Sequence, residues 1–441
     1  MELKNKDFQK ENVGSLDVLI GLFYGDEGKG KIVQYLADGY DLVCRFNGGP
    51  NAGHTIYING ESVVLNTISC GIFSGPSLCG DGMVVNPILM KEEIEKVIKY
   101  GADVKKNFYI GTGAHIILPT HLLLDKAEEL SKGDGKIGST QMGISPVYRD
   151  KIGRDGIRIG DIVDPNFKNI YDKQIAKHTK ILKEMYNYDC TLELALLNEK
   201  FLDAIEFIKQ YKNNFVNSSA FVNSFLKDGK KVLAEGAQAT MLDISFGTYP
   251  FVTSSRTLAS AAPAELGIGA QYVRNVYGVL KAYTTRVGSG PLATRVSNEL
   301  EEYLQEVAHE RGARTGRPRN VAWLDLPTLR YAIELNGATS LVLTKLDIFD
   351  LMKEDLRICT HYMVNGVEKN TIDFNLVTES DNVVPVYKDF KNWQGQKSEG
   401  IRDYKDLPKG AIEYLEFIES QVGVPISIIS VGVGKDDLIL K

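Results

Sequence analysis

The sequence predicts an α/β protein with a central, mostly parallel β-sheet and flanking helices, and two observations carry this prediction. Short apolar segments alternate with helical patterns from residue 17 onward, and several of these segments are apolar on both faces, which is typical of parallel strands covered by helices. The predicted strands are DVLIGLF (17–23), DLVCRF (41–46), KVLAEG (231–236), NVYGVLKAY (275–283), TSLVLTKLD (339–347) and ISIISVGV (426–433). The predicted helices include residues 31–37, 87–100, 191–214, 297–312 and 410–423, with an antiparallel hairpin around Asn365-Gly366. The alternation favours one α/β domain at 17–441, preceded by a polar leader at 1–16.

Composition and charge limit the class of protein. Of the 441 residues, 43% are hydrophobic and 24% are charged, so the chain can bury a large core and disorder is not expected. The net charge of −6 gives no reason to expect nucleic acid or an anionic membrane as a partner. The first residues are too polar for a signal peptide, and no apolar run approaches the length of a membrane span, so we expect a cytoplasmic protein. The cysteines lack C-x-x-C spacing and predict buried free thiols: Cys44, Cys70, Cys79, Cys190 and Cys359.

The first predicted strand is followed by a glycine-rich loop, GDEGKGK (25–31), and then by a helical pattern. A loop at a helix N-terminus offers free N–H groups and the positive end of the helix dipole, which suit a phosphate. The loop departs from the common phosphate-binding pattern in two ways. Ile32 stands where a Ser or Thr would hold Mg²⁺, and two acids, Asp26 and Glu27, lie inside the loop.

A second glycine-rich segment, NGGPNAGHT (47–55), follows the second predicted strand. Loops that follow parallel strands meet at the same edge of the sheet, so the two loops are expected to bracket one crevice. Asp26 and His54 would then face a reacting group from opposite sides.

The fifth predicted strand ends in Lys345 and Asp347, a pattern that is typical of guanine recognition. The carboxylate accepts hydrogen bonds from guanine N1–H and N2–H₂ together, and the lysine stem packs on the base. Adenine does not present this pair of donors. With a phosphate loop in the same chain, the pattern indicates a GTP site.

Longer segments, in matching order and spacing, resemble the adenylosuccinate synthetase family from about residue 17 to the C-terminus. They are GDEGKGK, NAGHT (51–55), EGAQATMLDISFGTYPFVTSS (235–255), KAYTTRVGSGP (281–291), RTGRPR (314–319), AWLD (322–325) and TKLD (344–347). The resemblance implies a P-loop-like fold and GTP-dependent, Mg²⁺-assisted ligation of inosine monophosphate (IMP) with L-aspartate. The reaction would pass through 6-phosphoryl-IMP to adenylosuccinate, GDP and phosphate, on the route to AMP. Members of the family are homodimers.

The resemblance also explains the acid in the phosphate loop. It implies that Asp26 is the base that removes the proton from purine N1 and that it binds Mg²⁺ together with Gly53. Asp26 thus replaces the metal-binding hydroxyl that Ile32 cannot supply. His54 would stabilise the charge that passes between O6 and the phosphoryl group, and Lys29 would neutralise the nucleotide phosphates.

Further roles are implied position by position. The residues matched to the purine nucleotide are Asn51, Thr140, Arg154, Gln238 and Thr253, with Arg154 donated across the dimer. Those matched to L-aspartate are Thr315 and Arg317, whose guanidinium can grip a carboxylate. Those matched to GTP are Gly25, Gly28, Lys29, Gly30, Lys31, Arg319, Lys345, Asp347, Ser430 and Gly432.

The chain departs from the family pattern mainly where the purine and aspartate sites are expected. Met142 stands in place of an arginine, Arg256 of an asparagine, Arg295 of an acid, Arg314 of a threonine and Asn320 of a basic residue. Two alternatives therefore stay open. One is a paralogue that uses another 6-oxopurine nucleotide, such as GMP or dGMP, although the presence of Asp26 favours IMP. The other is a GTP-binding protein without catalysis, which would not need the set of Asp26, Lys29 and His54.

Overall fold

The computed structural model describes residues 13–133, 138–312, 316–371 and 382–441. Its strands are β1 (Ser15–Gly21), β2 (Leu42–Arg45), β3 (His54–Ile58), β4 (Glu61–Leu65), β5 (Ser77–Cys79), β6 (Val84–Val85), β7 (Phe108–Gly111), β8 (His115–Ile116), β9 (Phe215–Val216), β10 (Lys231–Glu235), β11 (Val273–Lys281), β12 (Thr284–Arg286), β13 (Asn320–Ala322), β14 (Leu324–Asp325), β15 (Ser340–Thr344), β16 (Leu356–Val364), β17 (Val367–Lys369), β18 (Val383–Phe390), β19 (Ile426–Ser430) and β20 (Leu438–Leu440). Its α-helices are α1 (Lys29–Leu36), α2 (Pro87–Lys99), α3 (Val104–Asn107), α4 (Pro119–Ser131), α5 (Ile144–Gly153), α6 (Phe167–Tyr186), α7 (Thr191–Lys209), α8 (Ser218–Lys227), α9 (Ala261–Leu266), α10 (Asn298–Val307), α11 (Leu326–Asn336) and α12 (Lys409–Val422).

The central sheet contains ten strands within the described ranges, in the order β20-β19-β15-β11-β1-β10-β2-β5-β7-β9. Its neighbouring strands pair in parallel, except that β20 runs antiparallel to β19. The prediction of a mostly parallel sheet with flanking helices is therefore confirmed. All six strands predicted from the sequence belong to this sheet.

The strand β1 lies at the middle of the sheet and is buried on both faces. Leu16, Val18 and Ile20 pack in one hydrophobic cluster, and Leu19 packs in another. This explains why the sequence of the strand is apolar without alternation. Because Leu16 is fully buried in β1, the last residues of the predicted leader belong to the sheet, and residues 1–12 lie outside the described ranges.

Several predicted elements are longer than the observed ones. The helix predicted to end at residue 214 ends at Lys209, and the helix predicted to end at 312 ends at Val307. In the second case Glu310 pairs instead with Arg319, whose backbone N–H donates to the Glu310 carbonyl at 2.9 Å. The predicted hairpin is formed by β16 and β17, which pair directly across Asn365-Gly366. Its second strand was predicted to reach residue 374, and residues 372–381 lie outside the described ranges.

The parallel strands β1, β2, β10, β11, β15 and β19 direct their carboxyl ends to one edge of the sheet. The two glycine-rich loops follow β1 and β2 at this edge, so the geometry needed for a shared crevice is present. The described residues include no helix long and apolar enough to cross a membrane. Each of the five cysteines is free and buried, as predicted.

Candidate functional site

A cavity of about 360 Å³ opens at the carboxyl edge of the sheet. It is lined by the loops after β1, β2, β10 and β12, by α4 and by the segment before α5. Most of the residues predicted for the site lie on its wall: Gly25, Asp26, Gly28, Lys29, Gly30, Asn51, Gly53, His54, Thr140, Gln238, Thr253, Arg317 and Arg319.

The two acids of the phosphate loop point in different directions. Glu27 is buried, and its carboxylate accepts hydrogen bonds from the Gly25 N–H at 2.8 Å and from the Lys29 ammonium at 2.6 Å. Asp26 lines the cavity and keeps a quarter of its side chain exposed. Its backbone lies in the left-handed region with a φ of 59°, a conformation that costs energy for a residue other than glycine. Glu27 therefore stabilises the loop through these two hydrogen bonds, whereas the carboxylate of Asp26 is open to a ligand in the cavity.

Asp26 is paired with an arginine from the opposite side of the cavity. The Nε of Arg319 donates to Asp26 Oδ2 at 2.8 Å, and Nη1 of the same guanidinium donates to the fully buried carboxylate of Glu310. Sequence reasoning did not identify Glu310. Glu310 lies near the end of the helix predicted at 297–312, where an acid gives no signal by itself, and the observed helix ends at Val307.

His54 forms a buried pair with Glu235, at the end of β10. Nδ1 of His54 lies 2.5 Å from Glu235 Oε1, and the Cys70 N–H donates to the other carboxylate oxygen at 2.9 Å. Burial by itself raises the pKa of Glu235, but the hydrogen bond from His54, the charge of Arg45 and the hydrogen bond from the Cys70 N–H act against it and hold that pKa at about 2. Burial lowers the pKa of His54. The imidazole is therefore neutral and donates from Nδ1–H, which leaves Nε2 for a reacting group.

Two amide side chains of the cavity wall lack hydrogen-bond partners among the described residues. They are Asn51, through Oδ1, and Gln238, through both Oε1 and Nε2, and all three atoms are buried. Gln238 also has a positive φ of 56°, and its side chain packs against Gly48, where an added Cβ would lie 2.9 Å from Oε1. Buried polar atoms without partners are uncommon in folded proteins, so these amides indicate a ligand-binding wall.

The residues predicted to read guanine lie outside the wall of this cavity, at the ends of β15 and β19. Lys345 has a φ of 64°, and its ammonium donates to the Ala308 carbonyl at 2.9 Å. Burial raises the pKa of the Asp347 carboxyl. Ser430 and Gly432, at the end of β19, both accept hydrogen bonds from the ammonium of Lys31, as does Asp437.

Lys31 occupies a position different from the one expected of a phosphate ligand. Its ammonium donates to Ser430 Oγ at 2.8 Å, to the Gly432 carbonyl at 2.8 Å and to the Asp437 carbonyl at 3.1 Å. Burial lowers the pKa of Lys31 to about 8. In this structure Lys31 thus joins helix α1 to the segment 430–437, where the sequence predicts guanine-binding residues.

The sequence also predicted Thr315, Arg317 and Arg154 as site residues. Thr315 lies outside the described ranges, while Arg317 donates from Nη2 to the Gly138 carbonyl at 3.0 Å and so joins the loop before β13 to the segment before α5. Arg154 is exposed at the C-terminal cap of α5 and is not part of the wall of this chain's own cavity within the described residues.

Acids of α4 were missed in the sequence although they line the cavity. Asp125 accepts hydrogen bonds from Ser139 Oγ at 2.6 Å and from the Gly143 N–H at 2.9 Å. Glu129, one helical turn later, accepts from the N–H groups of Gly138 at 2.6 Å and Ser139 at 3.2 Å. Two buried acids spaced four residues apart on an otherwise apolar helix face were the available signal.

The structure describes four of the five residues at which the chain departs from the family pattern. Met142 packs in an apolar cluster, Arg256 is exposed, and Arg295 donates to Glu301 at 2.9 Å and to Asn320 Oδ1 at 3.3 Å. Within the described residues, none of Met142, Arg256, Arg295 and Asn320 belongs to the cavity wall. For these four the expectation stays a prediction, and Arg295 and Asn320 contact each other. Arg314 lies outside the described ranges.

Comparison with known proteins gives one consistent result. A family model described as adenylosuccinate synthetase matches residues 18–439. The adenylosuccinate synthetase of Parabacteroides distasonis is 44% identical over 97% of this chain and 99% of its own. That of Flavobacterium johnsoniae is 46% identical over 97% of this chain and 100% of its own.

Solved structures agree. A fully ligated adenylosuccinate synthetase from Plasmodium falciparum superposes with a TM-score of 0.85 at 35% identity and covers 98% of this chain and 100% of its own. The succinoaminodeoxyadenylate synthetase of cyanophage S-2L, bound to dGMP and dATP, has a TM-score of 0.61 at 16% identity over 97% of this chain and 95% of its own, a likeness of fold alone. On the family match and on identity across nearly its whole length, this chain belongs to the adenylosuccinate synthetase family of GTP-dependent ligases.

Proposed function

We propose that this chain joins IMP to L-aspartate with GTP as phosphoryl donor, and releases adenylosuccinate, GDP and phosphate in the cytoplasm on the route to AMP. The observation that carries the proposal is the single cavity in which Asp26 and His54 come from the two glycine-rich loops next to the N-terminus of α1. A carboxylate, a neutral imidazole and an anion-binding helix end are the parts that this chemistry requires.

The first step would activate the purine oxygen. The 6-oxygen of hypoxanthine is amide-like and leaves poorly as hydroxide. Asp26 would take the proton from N1 so that O6 attacks the γ-phosphorus, with GDP as the leaving group. With Nδ1–H on Glu235, the Nε2 of a neutral His54 accepts a proton or hydrogen bond. After taking up a proton, the imidazolium would donate from Nε2–H to the migrating phosphoryl oxygens while Nδ1–H still donates to Glu235.

The second step would form the carbon–nitrogen bond. The amine of aspartate attacks C6, and the C6–O6 bond breaks with phosphate as the leaving group. Arg317 would grip a carboxylate of aspartate, since a guanidinium matches a carboxylate in bidentate geometry. Thr315 is proposed for the same ligand from its place in the sequence.

Mg²⁺ would be held by Asp26 and Gly53. Both line the same cavity, and carboxylate and carbonyl oxygens are the donors that Mg²⁺ prefers. Because Arg319 occupies Oδ2 of Asp26, the carboxylate retains Oδ1 for a cation. When bound, Mg²⁺ supplies charge stabilisation at the phosphate oxygens. Lys29 would add its charge there after exchanging Glu27 for a phosphate.

The nucleotides would be held by the remaining predicted residues. IMP is assigned to Asn51, Thr140, Gln238 and Thr253, together with Arg154 of a second copy of the chain. GTP is assigned to Gly25, Gly28, Gly30, Arg319, Lys345, Asp347, Ser430 and Gly432. For Lys31 we propose an indirect role in the GTP site, because its three hydrogen bonds support the segment 430–437.

The acceptor can be tested directly. Purified protein with GTP, Mg²⁺ and L-aspartate is offered IMP or GMP in parallel, and the absorbance change of the purine is followed. We expect turnover with IMP and little with GMP, because Asp26 is present and the described departures lie away from the cavity wall. Preferential turnover of GMP would contradict the IMP assignment, and absence of turnover with either would favour a binding protein.

The proposed homodimer has its own test. If Arg154 completes the partner's IMP site, Arg154→Ala should weaken IMP binding without lowering the melting temperature. The nearby exposed Arg158→Ala serves as the matched control and should be silent. Mixing Arg154→Ala with His54→Ala should restore part of the activity, because one site of each heterodimer then has both wild-type residues. Mixtures no more active than the separate variants would contradict a shared site.

A further inference from the structure

Glu310 is a fully buried carboxylate at which several cationic side chains of the site converge. Lys281 donates its ammonium to both carboxylate oxygens, at 3.0 and 2.9 Å, and Tyr283 donates its hydroxyl to Oε1. Arg319 donates Nη1 to Oε2, and the ammonium of Lys345 lies 4.0 Å from Oε1. These donors come from β11 and from the loops that contain the proposed GTP residues.

The Glu310 carboxylate is ionised at neutral pH. Burial by itself raises the pKa of Glu310, but the positive charges of Lys281, Arg319 and Lys345 outweigh it and hold that pKa at about 2. A buried carboxylate of this kind is kept only where cations compensate for its lost hydration. Glu310 in turn compensates those cations.

The link to the reacting carboxylate runs through a rigid group. A guanidinium is planar, so fixing Nη1 of Arg319 on Glu310 also fixes the direction of its Nε–H. That Nε–H donates to Asp26 at 2.8 Å. The backbone adds to the constraint, since Arg319 donates its N–H to the Glu310 carbonyl at 2.9 Å and accepts at its own carbonyl from Gln305 at 2.7 Å.

Removing the negative charge of Glu310 would change this arrangement. Lys281 and Arg319 would remain buried with Asp26 as the nearest carboxylate that Arg319 contacts. The guanidinium of Arg319 would then be free to rotate, so that two of its N–H groups donate to Asp26. Two such hydrogen bonds would move the Asp26 carboxylate away from the position in which it acts on the purine.

We propose that Glu310 is a positioning residue for phosphoryl transfer: it anchors Arg319, and Arg319 holds Asp26 in the orientation from which it acts on the purine. Glu310 itself touches no substrate. The proposal rests on the proposed function of Asp26. It assigns the buried ion-pair network a role in the rate of the reaction and not only in the stability of the fold.

The test is a double-mutant cycle of Glu310→Gln with Arg319→Ala, measured as kcat and as KM for GTP and IMP. A misplacement of the base by about 1 Å can cost on the order of 10²-fold in rate, so we expect Glu310→Gln to lower kcat by roughly 10- to 100-fold. The KM for IMP should change by less than about threefold, because none of the residues assigned to IMP is among the hydrogen-bond partners of Glu310. The KM for GTP reports separately on Arg319 and Lys345, which contact Glu310 and are assigned to GTP. In the Arg319→Ala background, Glu310→Gln should cost less than about threefold, since its effect passes through Arg319.

The matched control is Asp17→Asn. Asp17 is also a buried carboxylate with a tyrosine hydroxyl donor, Tyr40, at 2.5 Å, but it lies near the start of β1, toward the opposite edge of the sheet. It should lower the melting temperature and leave kcat unchanged. Binding of IMP without turnover, measured by calorimetry, gives a readout that is independent of activity and should stay within about threefold for Glu310→Gln.

Two results would overturn the proposal: a kcat of Glu310→Gln within about twofold of wild type, or an effect that multiplies in full with that of Arg319→Ala. If Glu310→Gln does not fold, Glu310→Asp enters the same cycle, because it keeps the charge and withdraws it from Arg319. Failure of the proposed function is distinguishable, since wild type would then form no adenylosuccinate or Asp26→Asn would still form it.

Discussion

On the side of the cavity proposed for phosphate the charged side chains of Asp26, Lys29 and Glu235 have protein partners, whereas on the side proposed for the purine buried amide atoms have none among the described residues. Asp26 pairs with Arg319 and Lys29 with Glu27, and the carboxylate of Glu235 accepts from the neutral His54. The amides without partners are those of Asn51 and Gln238. The two sides are within one cavity, so the difference lies in the chemistry of the groups and not in their exposure to different solvents.

The cost of burial explains this difference. An isolated buried charge costs far more free energy than a buried amide without a partner, for which protein data give about 1–3 kcal/mol. The fold must therefore supply counter-charges to the phosphate-handling groups before any substrate arrives. It can leave neutral amides for the substrate to satisfy. Charged groups held in this way are also preorganised for a reaction that develops charge.

The largest effect is expected on the phosphate side, from Asp26→Asn. Loss of a general base costs roughly 10²–10⁴-fold in rate, and loss of a Mg²⁺ ligand adds to it. Nucleotides should still bind, because Lys29 and the N-terminus of α1 are unchanged. Formation of GDP from GTP in single-turnover experiments with IMP measures the step. Retention of more than about a tenth of the wild-type rate, against that range, would remove Asp26 from the mechanism.

A smaller effect is expected at the guanine-reading segment, from Asp347→Asn. The variant loses a charged acceptor for two guanine donors, which should cost about 2–4 kcal/mol in kcat/KM for GTP. ATP is the internal control, since adenine does not offer those donors and its kcat/KM should hardly change. An unchanged ratio of GTP to ATP would show that the base is recognised elsewhere.

On the purine side, Gln238→Leu should act with opposite signs on binding and on stability. It removes a donor and an acceptor for IMP, so the affinity for IMP should fall by about 1–3 kcal/mol. It also removes two buried atoms without partners, so the melting temperature without ligand should be unchanged or higher. Thermal unfolding with and without IMP measures both. A fall in stability without ligand would mean that the amide has a structural role.

The contrast between the two sides also explains what the sequence could predict. Asp26 and His54 were identified because each lies in a short glycine-rich segment that follows a buried strand. The contacts that they make were not predicted, because these contacts join residues far apart in the chain: His54 and Glu235 are separated by 181 positions, and Asp26 and Arg319 by 293. The strand segments and their mostly parallel arrangement were predicted from local sequence, through apolar residues on both faces.

Long-range pairing also accounts for contacts that the sequence did not predict. Lys31 has the place of a phosphate ligand in the loop pattern, and its ammonium contacts Ser430, 399 positions later in the chain. Arg295 and Asn320 were identified as departures from the family pattern near the predicted purine and aspartate sites. No local feature indicates that the two side chains contact each other.

The smallest effect is expected from this last pair, which lies outside the cavity wall. In the family pattern an acid stands at position 295 and a basic residue at position 320, so the chain carries an altered pair that is still in contact. The double variant Arg295→Asp with Asn320→Arg restores the family's charges. It should change the free energy of unfolding by less than about 1 kcal/mol, as exposed pairs do. The preference for IMP over GMP should not change.

The single variants sharpen this test. Arg295→Asp brings a second acid beside Glu301, which Arg295 now contacts at 2.9 Å, so it should destabilise the fold slightly more than the double variant does. Recovery in the double variant, measured by thermal unfolding, would be the signature of a compensated pair. If either single variant or the double variant altered the choice between IMP and GMP, the departures would reach the purine side after all. Asn51 and Gln238 would then not be the only residues that decide which purine nucleotide is accepted.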